Sequence, residues 1–341
     1  MLYSELQCSE AIHKAVERMG FAEMTEVQEK TIPVMLAGRD VIAKAPTGTG
    51  KTCAFGIPVA EHILPENKYP QAVIMAPTRE LAIQIRDELR DLCAFKEGVR
   101  VVCLYGGQPI DKQITQLKKR PQIVVATPGR LLDLIGQGYV TLDTIRFFVL
   151  DEADRMLDMG FIHDIRRILP LLPERRQTLF FSATMPESIA ALAAKILRNP
   201  VLVTVTPPAS VVETIAQTVH FAEKAEKSQL LIDLLSASDA QQVLVFSRTK
   251  HGADKLAKIL NRAGIRSCAI HGNKSQNARV KAMNDFKSGE CRVMIATDIA
   301  ARGIDIDQLP LVINYELPEV AETYVHRIGR TGRAGYEGAA W

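Results

Sequence analysis

Short apolar runs alternate along the chain with longer segments in which apolar positions recur every three or four residues. Val41-Ile42-Ala43, Ala72-Val73-Ile74-Met75, Val101-Val102-Cys103-Leu104, Ile123-Val124-Val125, Phe147-Phe148-Val149-Leu150 and Thr178-Leu179-Phe180-Phe181 make up the first set of runs. A strand that reads apolar at nearly every position is covered on both faces, the condition of a parallel sheet between two helical layers. Residues 80–92 and 162–169 carry the helical spacing, so the pattern predicts a βαβ series and a doubly wound α/β sheet. After residue 210 the pattern restarts with Val243-Leu244-Val245-Phe246, Ser267-Cys268-Ala269-Ile270, Val293-Met294-Ile295-Ala296 and Leu311-Val312-Ile313-Asn314, separated by helical segments at 253–263 and 277–288. Between the two sets, Thr206-Pro207-Pro208-Ala209-Ser210 offers little that can pack. Two tandem domains are therefore expected, 1–205 and 214–341, with a short linker at 206–213.

Composition adds limits. At 341 residues with 47% hydrophobic and 24% charged positions, the chain can fill two ordinary globular cores. Its net charge of +3 is spread evenly, with 25 basic against 24 acidic residues up to position 210 and 17 against 15 beyond. No basic block announces a nucleic-acid partner, so any such partner must be argued from motifs. Six scattered cysteines without a C-x-x-C pair read as reduced thiols in a cytoplasmic protein, not as a disulfide framework or zinc site. Glu5, Glu10 and Glu17 interrupt the apolar positions of the first segment, which reads as an amphipathic helix and not a secretion leader. No apolar run approaches the ~20 residues of a membrane span. A soluble monomer is the default expectation.

The chemistry lies in two places in the first half. Ala45-Pro46-Thr47-Gly48-Thr49-Gly50-Lys51-Thr52 follows a predicted strand and opens a predicted helix. Glycines at 48 and 50 let backbone N–H groups converge on phosphate oxygens; Lys51 then reaches the outer phosphates and the Thr52 hydroxyl ligates Mg²⁺. The general phosphate-loop pattern opens with Gly, where this chain has Ala45. Asp151-Glu152-Ala153-Asp154 ends the apolar run 147–150, at the carboxyl edge where open α/β sheets bind ligands. Asp151 suits Mg²⁺, and Glu152 is placed to polarise an attacking water. Upstream, Phe21 offers a face for a purine, and the Gln28 amide pairs naturally with the N6/N7 edge of adenine. Together these predict a hydrolase of ATP.

The ordered set of motifs resembles the DEAD-box RNA helicases of helicase superfamily 2 along essentially the whole chain. The resemblance rests on Gln28, the loop 45–52, Pro77-Thr78-Arg79-Glu80-Leu81-Ala82, Gly106-Gly107, Thr127-Pro128-Gly129-Arg130, Asp151 to Asp154 and Ser182-Ala183-Thr184. It continues through Phe246-Ser247-Arg248-Thr249, Gln276-x-x-Arg279, the run from Ala296 to Asp305, and His326-Arg327-Ile328-Gly329-Arg330-Thr331-Gly332-Arg333. Wording between motifs, at 154–161 and 269–276, looks most like the bacterial RhlE-type branch. Met24 stands where the family usually has Pro, and is expected to loosen that turn while leaving Phe21, Thr25 and Gln28 in register. Trp341 falls where the family has a last strand and helix, so the second domain is expected to lack its final element.

This resemblance implies two RecA-like domains that close on ATP and single-stranded RNA, unwind short RNA duplexes, and reopen on hydrolysis. Phe21, Thr25, Gln28, Thr47, Gly48, Thr49, Gly50, Lys51 and Thr52 would hold the nucleotide, joined by Gly303 and Asp305 at the ribose. Arg330 and Arg333 would act as arginine fingers, a role that suits a planar, permanently charged guanidinium. Asp154, Ser182, Thr184 and His326 would couple hydrolysis to RNA release, with Ser182 bonding Asp154. RNA contacts would come from Arg79, Gly107, Thr127, Gly129, Arg130, Arg248, Gly272, Thr297, Asp298 and Arg302. Such groups address phosphates and 2′-hydroxyls rather than base edges, so binding is expected to be blind to sequence. The tetrapeptide with Gln28 favours RNA over DNA as the polymer. Ribonucleoprotein, ribosome-assembly and RNA-decay proteins are all compatible partners.

Overall fold

The computed structural model describes residues 1–205, 215–301, 309–319, 321–332 and 338–341. Backbone contacts divide the chain into two units, Met1–Thr206 and Pro207–Trp341. The expected linker, 206–213, lies outside the described residues.

In the first unit seven strands form one parallel sheet. They are β1 (Val41–Lys44), β2 (Ala72–Met75), β3 (Val101–Leu104), β4 (Ile123–Ala126), β5 (Phe147–Leu150), β6 (Gln177–Ser182) and β7 (Val201–Thr204), in the spatial order β3-β4-β2-β5-β6-β1-β7. Alternating residues of one strand feed opposite cores: Phe147 and Val149 join Phe55, Ile74 and Phe181, whereas Phe148 and Leu150 join Met75, Leu131 and Phe180. That two-sided burial is the physical reason β2, β3, β4 and β5 lack polar positions.

Helices start where side chains or glycine relieve their first N–H groups. Thr78 caps Arg79–Leu92 by accepting from Leu81 N at 3.3 Å. The buried face of that helix, Ala82, Ile85, Leu89 and Leu92, follows the three-to-four spacing. Gly50, at φ 83°, is the N-cap of Lys51–His62.

In the second unit β8 (Ile215–Gln217), β9 (Val243–Phe246), β10 (Ser267–Ile270), β11 (Val293–Ala296), β12 (Leu311–Asn314) and β13 (Gly338–Ala340) also form a parallel sheet, ordered β10-β11-β9-β12-β13-β8. Here β13 corrects part of the expectation at the chain's end. Its three residues pair with β8 and two of them with β12, so a strand is present there. Gly-Ala-Ala carries no apolar signature, which is why the run was not legible as one. Thr249 and Ser275 cap Lys250–Arg262 and Gln276–Lys287 by accepting from Gly252 N and Ala278 N. Among the described residues no helix is long and apolar enough to cross a membrane.

Candidate functional site

Apart from Phe21–Gln28, which precedes β1, the motifs of the first unit lie at the carboxyl ends of parallel strands. The loop 45–52 follows β1, Asp151 follows β5, and Ser182 ends β6, which lies between them. Chain order thus brings the phosphate loop, the carboxylate pair and Ser182-Ala183-Thr184 to one edge.

Gly48 and Gly50 both hold positive φ, at 79° and 83°. A Cβ on Gly50 would sit 2.4 Å from Gln28 Nε2, so glycine is required there by both backbone and space. Gln28 is buried and donates through Nε2 to Gly50 O at 3.0 Å, while Thr25 Oγ1 donates to Thr49 O at 2.7 Å. The candidate adenine-reading residues and the candidate phosphate loop are therefore one bonded unit. Sequence reasoning missed Tyr3, whose buried hydroxyl donates to Gln28 Oε1 at 2.6 Å. Thr25 N donates to the same oxygen at 2.9 Å, so two donors orient the amide. Tyr3 also stacks on the half-exposed Phe21 ring, with centroids 6.3 Å apart. Met24 does not loosen this turn. Its N–H donates to Met1 O at 3.0 Å, a bond that proline cannot make, and its side chain is buried.

Lys51 is buried, and its ammonium donates to Ala45 O at 3.3 Å. Thr47 and Thr52 are partly buried in and just after the loop. Asp151 is only 2% exposed. Burial pushes its carboxyl up to about 6, against the pull of the Lys51 cation and with the Glu152 charge adding to the rise. Glu152 N donates to Asp151 Oδ1 at 3.0 Å. Glu152 itself adopts φ 53° and ψ 53°, a left-handed conformation that costs a non-glycine residue about 1–2 kcal/mol. Such strain persists where surrounding contacts enforce it. The Glu152 carboxylate is held by Arg155, another residue that motif spacing did not single out. Its Nη1 donates to Glu152 Oε2 at 2.5 Å, with both side chains buried.

The expected bond between Ser182 and Asp154 takes a particular form. Ser182 Oγ accepts from the backbone N–H of Asp154 at 3.1 Å and donates to Thr184 O at 2.7 Å. The Asp154 carboxylate instead receives Thr184 twice, from N and Oγ1, both at 2.8 Å. The loops after β5 and β6 are thereby locked together.

Of the candidate RNA contacts in this unit, Arg79 and Gly107 come together. Gly107 has φ 85°, and a Cβ there would lie 2.4 Å from Arg79 Nη1. Thr127 is the buried N-cap residue of Pro128–Gly136, which places Gly129 and Arg130 in its first turn. Arg130 donates to Gln108 O at 3.3 Å and pairs with Asp133 at 3.6 Å.

In the second unit, Arg248 follows β9, Gly272 follows β10, and Thr297 and Asp298 follow β11. Arg248 is exposed, its N–H donating to Glu316 Oε2 at 2.6 Å. Both Asp298 oxygens are taken by Arg327, from Nε at 2.6 Å and Nη2 at 2.8 Å. Arg327 Nη1 also donates to Asn314 Oδ1 at 3.1 Å and Glu316 O at 2.7 Å, and the guanidinium lies over the Phe246 ring. This buried hub was legible only as one more basic position in a basic motif. His326, its neighbour, is exposed, and Arg330 is partly buried at the end of the same helical segment. Arg302, Gly303, Asp305 and Arg333 lie outside the described residues.

Comparison with known proteins matches residues 25–192 to the DEAD/DEAH box helicase family and residues 226–335 to the helicase conserved C-terminal domain. The DEAD-box ATP-dependent RNA helicase CshA of Geobacillus kaustophilus is 47% identical over 338 residues, covering 99% of this chain and 72% of the relative. That of Bacillus subtilis is 46% identical, with 99% and 68% covered. Among solved structures, S. cerevisiae Dbp5 bound to RNA and ADP BeF3 aligns with a TM-score of 0.88 at 33% identity, covering 99% of this chain and 88% of that one. A DEAD box protein from Methanococcus jannaschii aligns at 0.58 and 41% identity over 100% and 92%.

Proposed function

The chain belongs to the DEAD-box ATP-dependent RNA helicases, and from that premise we propose which of its residues bind, hydrolyse and respond. ATP is the substrate; single-stranded RNA is the polymer bound, and short RNA duplexes are what it opens. Support for the polymer comes from the relative seen with RNA and ADP BeF3.

The observation that carries the reading is one edge of a parallel sheet. There, a glycine-capped helix start, a buried lysine and two buried carboxylates meet. The N–H groups after Gly48 bind the phosphates, and Lys51 leaves the Ala45 carbonyl to meet the outermost one. Asp151 and the Thr52 hydroxyl supply only hard oxygen donors, which fits Mg²⁺. When bound, that ion would draw charge from the phosphate oxygens. Glu152 orients the attacking water and accepts its proton, its carboxylate being aimed by Arg155 and by its left-handed backbone. Gln28 reads the adenine edge, and Phe21 covers the ring. Asp154 transmits loss of the outer phosphate to Thr184, because the two share two hydrogen bonds. Arg330 and Arg333 complete the charge stabilisation when the two units close on ATP and RNA.

Arg79 beside Gly107, the helix start at Thr127, Arg248, Gly272 and Thr297 form the sequence-blind RNA contacts. Asp298 serves as the anchor of Arg327 rather than as a free carboxylate facing a polyanion. The branch within the family is a finer matter. The RhlE-type reading rests on wording at 154–161 and 269–276, whereas the relatives above are named CshA.

The test compares ATPase stimulation by RNA and DNA of equal length, alongside unwinding of a short RNA duplex. RNA is expected to stimulate and DNA to fail. Equal stimulation would remove the RNA assignment and point to a DNA translocase; stimulation without strand separation would point to an ATP-gated clamp.

A further inference from the structure

Of the six cysteines, Cys53, Cys93 and Cys103 are buried singly in the first unit, where burial pushes each thiol up to about 12. Cys268 and Cys291 differ. They lie 23 residues apart in sequence, yet their Sγ atoms are 2.7 Å apart. Cys268 is on β10, which among the described residues is an edge strand, and Cys291 stands two residues before β11, the strand that pairs with it. Both sulfurs lie on the face covered by the helix Gln276–Lys287, where Cys268 Sγ approaches Ala282 O at 3.7 Å and Cys291 Sγ approaches Val293 O at 3.2 Å. Cys291 is 5% exposed, while Cys268 is only partly buried and opens the pair to solvent.

We propose that Cys268 and Cys291 are a reversible oxidation site, in which hydroperoxide converts the two thiols to an intradomain disulfide. A sulfur–sulfur bond of ~2.05 Å needs only a small further approach from the observed separation. The contact also divides the labour. The hydrogen bond that Cys291 Sγ makes to Cys268 Sγ couples the two thiols, holding Cys291 below its ordinary range and raising Cys268. Cys291 is therefore the sulfur that ionises first.

The Cys291 thiolate attacks hydrogen peroxide, the O–O bond breaks, and a sulfenic acid forms as the departing hydroxide takes a proton to become water. The Cys268 sulfur then attacks Cys291 Sγ; the S–O bond breaks and its oxygen leaves as a second water with the Cys268 proton. Two thiols and one peroxide thus give one disulfide and two waters. Cys268 acts as the resolving partner that keeps Cys291 off the irreversible branch of the oxidation ladder. Gly272 and Thr297 lie at the opposite ends of the same two strands. The modification is therefore separable from the RNA contacts.

The experiment treats the reduced chain with hydrogen peroxide, then alkylates remaining thiols after denaturation and maps the peptides by mass. Expected is a mass loss of about 2 Da, two of the six thiols protected, one cross-linked peptide joining 268 to 291, and full reversal by dithiothreitol. In Cys268→Ala the cross-link disappears and Cys291 gains about 32 Da as a sulfinic acid that dithiothreitol does not remove. The reduced Cys268→Ala protein keeps its RNA-stimulated ATPase activity. Full alkylation of both residues in treated wild type, or the same thiol protection in Cys268→Ala, overturns the proposal. Because Cys268 is partly open to solvent, that variant tests the pair even where Cys291→Ala fails to fold.

Discussion

Asp151→Asn is expected to stabilise the first unit while abolishing its chemistry. The carboxyl is 2% exposed and displaced from 3.8 to about 6, chiefly because burial removes the water that would solvate its charge. That displacement corresponds to about 3 kcal/mol. Because the folded value is raised, the group's contribution favours folding below pH 3.8 and is lost as pH rises through 6. At neutral pH the ligand-free protein therefore carries a buried anion that Lys51 only partly compensates. Asparagine keeps the Oδ1 acceptor for Glu152 N and removes the charge. Relative to wild type, the variant should be equally stable near pH 3.5 and more stable by about 3 kcal/mol at pH 7. Chemical denaturation resolves this, because the single tryptophan, Trp341, belongs to the second unit. The transition seen by circular dichroism but not by tryptophan fluorescence belongs to the first. A difference that stays the same at pH 3.5 and pH 7, or a variant no more stable than wild type at pH 7, refutes the reasoning.

Glu152→Gln should bind ATP and RNA but lower turnover by about 10²–10⁴-fold, read in a steady-state ATPase assay with parallel binding titrations. Gln28→Ala should reduce the preference for ATP over GTP by roughly 10–100-fold, from competition of the two nucleotides for turnover, since a bidentate base contact carries about 1–3 kcal/mol. Arg327→Ala leaves the Asp298 carboxylate without its partner and should destabilise the second unit by about 3 kcal/mol, followed by Trp341 fluorescence. Arg327→Lys should recover only part of this, because an ammonium cannot reproduce the bidentate pairing.

The central strands were legible because burial on both faces leaves no polar position to confuse the reading. Three strands were not: β7 and β8, at sheet edges, carry exposed positions, and β13, though flanked by β12 and β8, is Gly-Ala-Ala. The phosphate loop and the carboxylate pair were legible because their spacing is local and each follows such a strand. Tyr3, Arg155 and Arg327 were not, since each acts through a partner that only the fold defines. Tyr3 meets Gln28 across 25 positions, and Arg327 meets Asp298 across 29. Met24 shows the converse error, where a departure read as a weakness supplies a backbone donor instead.

The place of β1 in its sheet has a consequence for synthesis. Its only neighbours are β6 and β7, pairing Val41 with Leu179 on one side and Val201 on the other. The strand that carries the phosphate loop leaves the ribosome early and waits for the last part of its unit before any of its ladder can form. A nascent chain stopped short of residue 177 would hold the candidate phosphate loop and could pair β3, β4, β2 and β5, yet β1 would have no neighbour to join. Closing contacts so distant in sequence makes mounting of the phosphate loop a late event in assembly of the first unit.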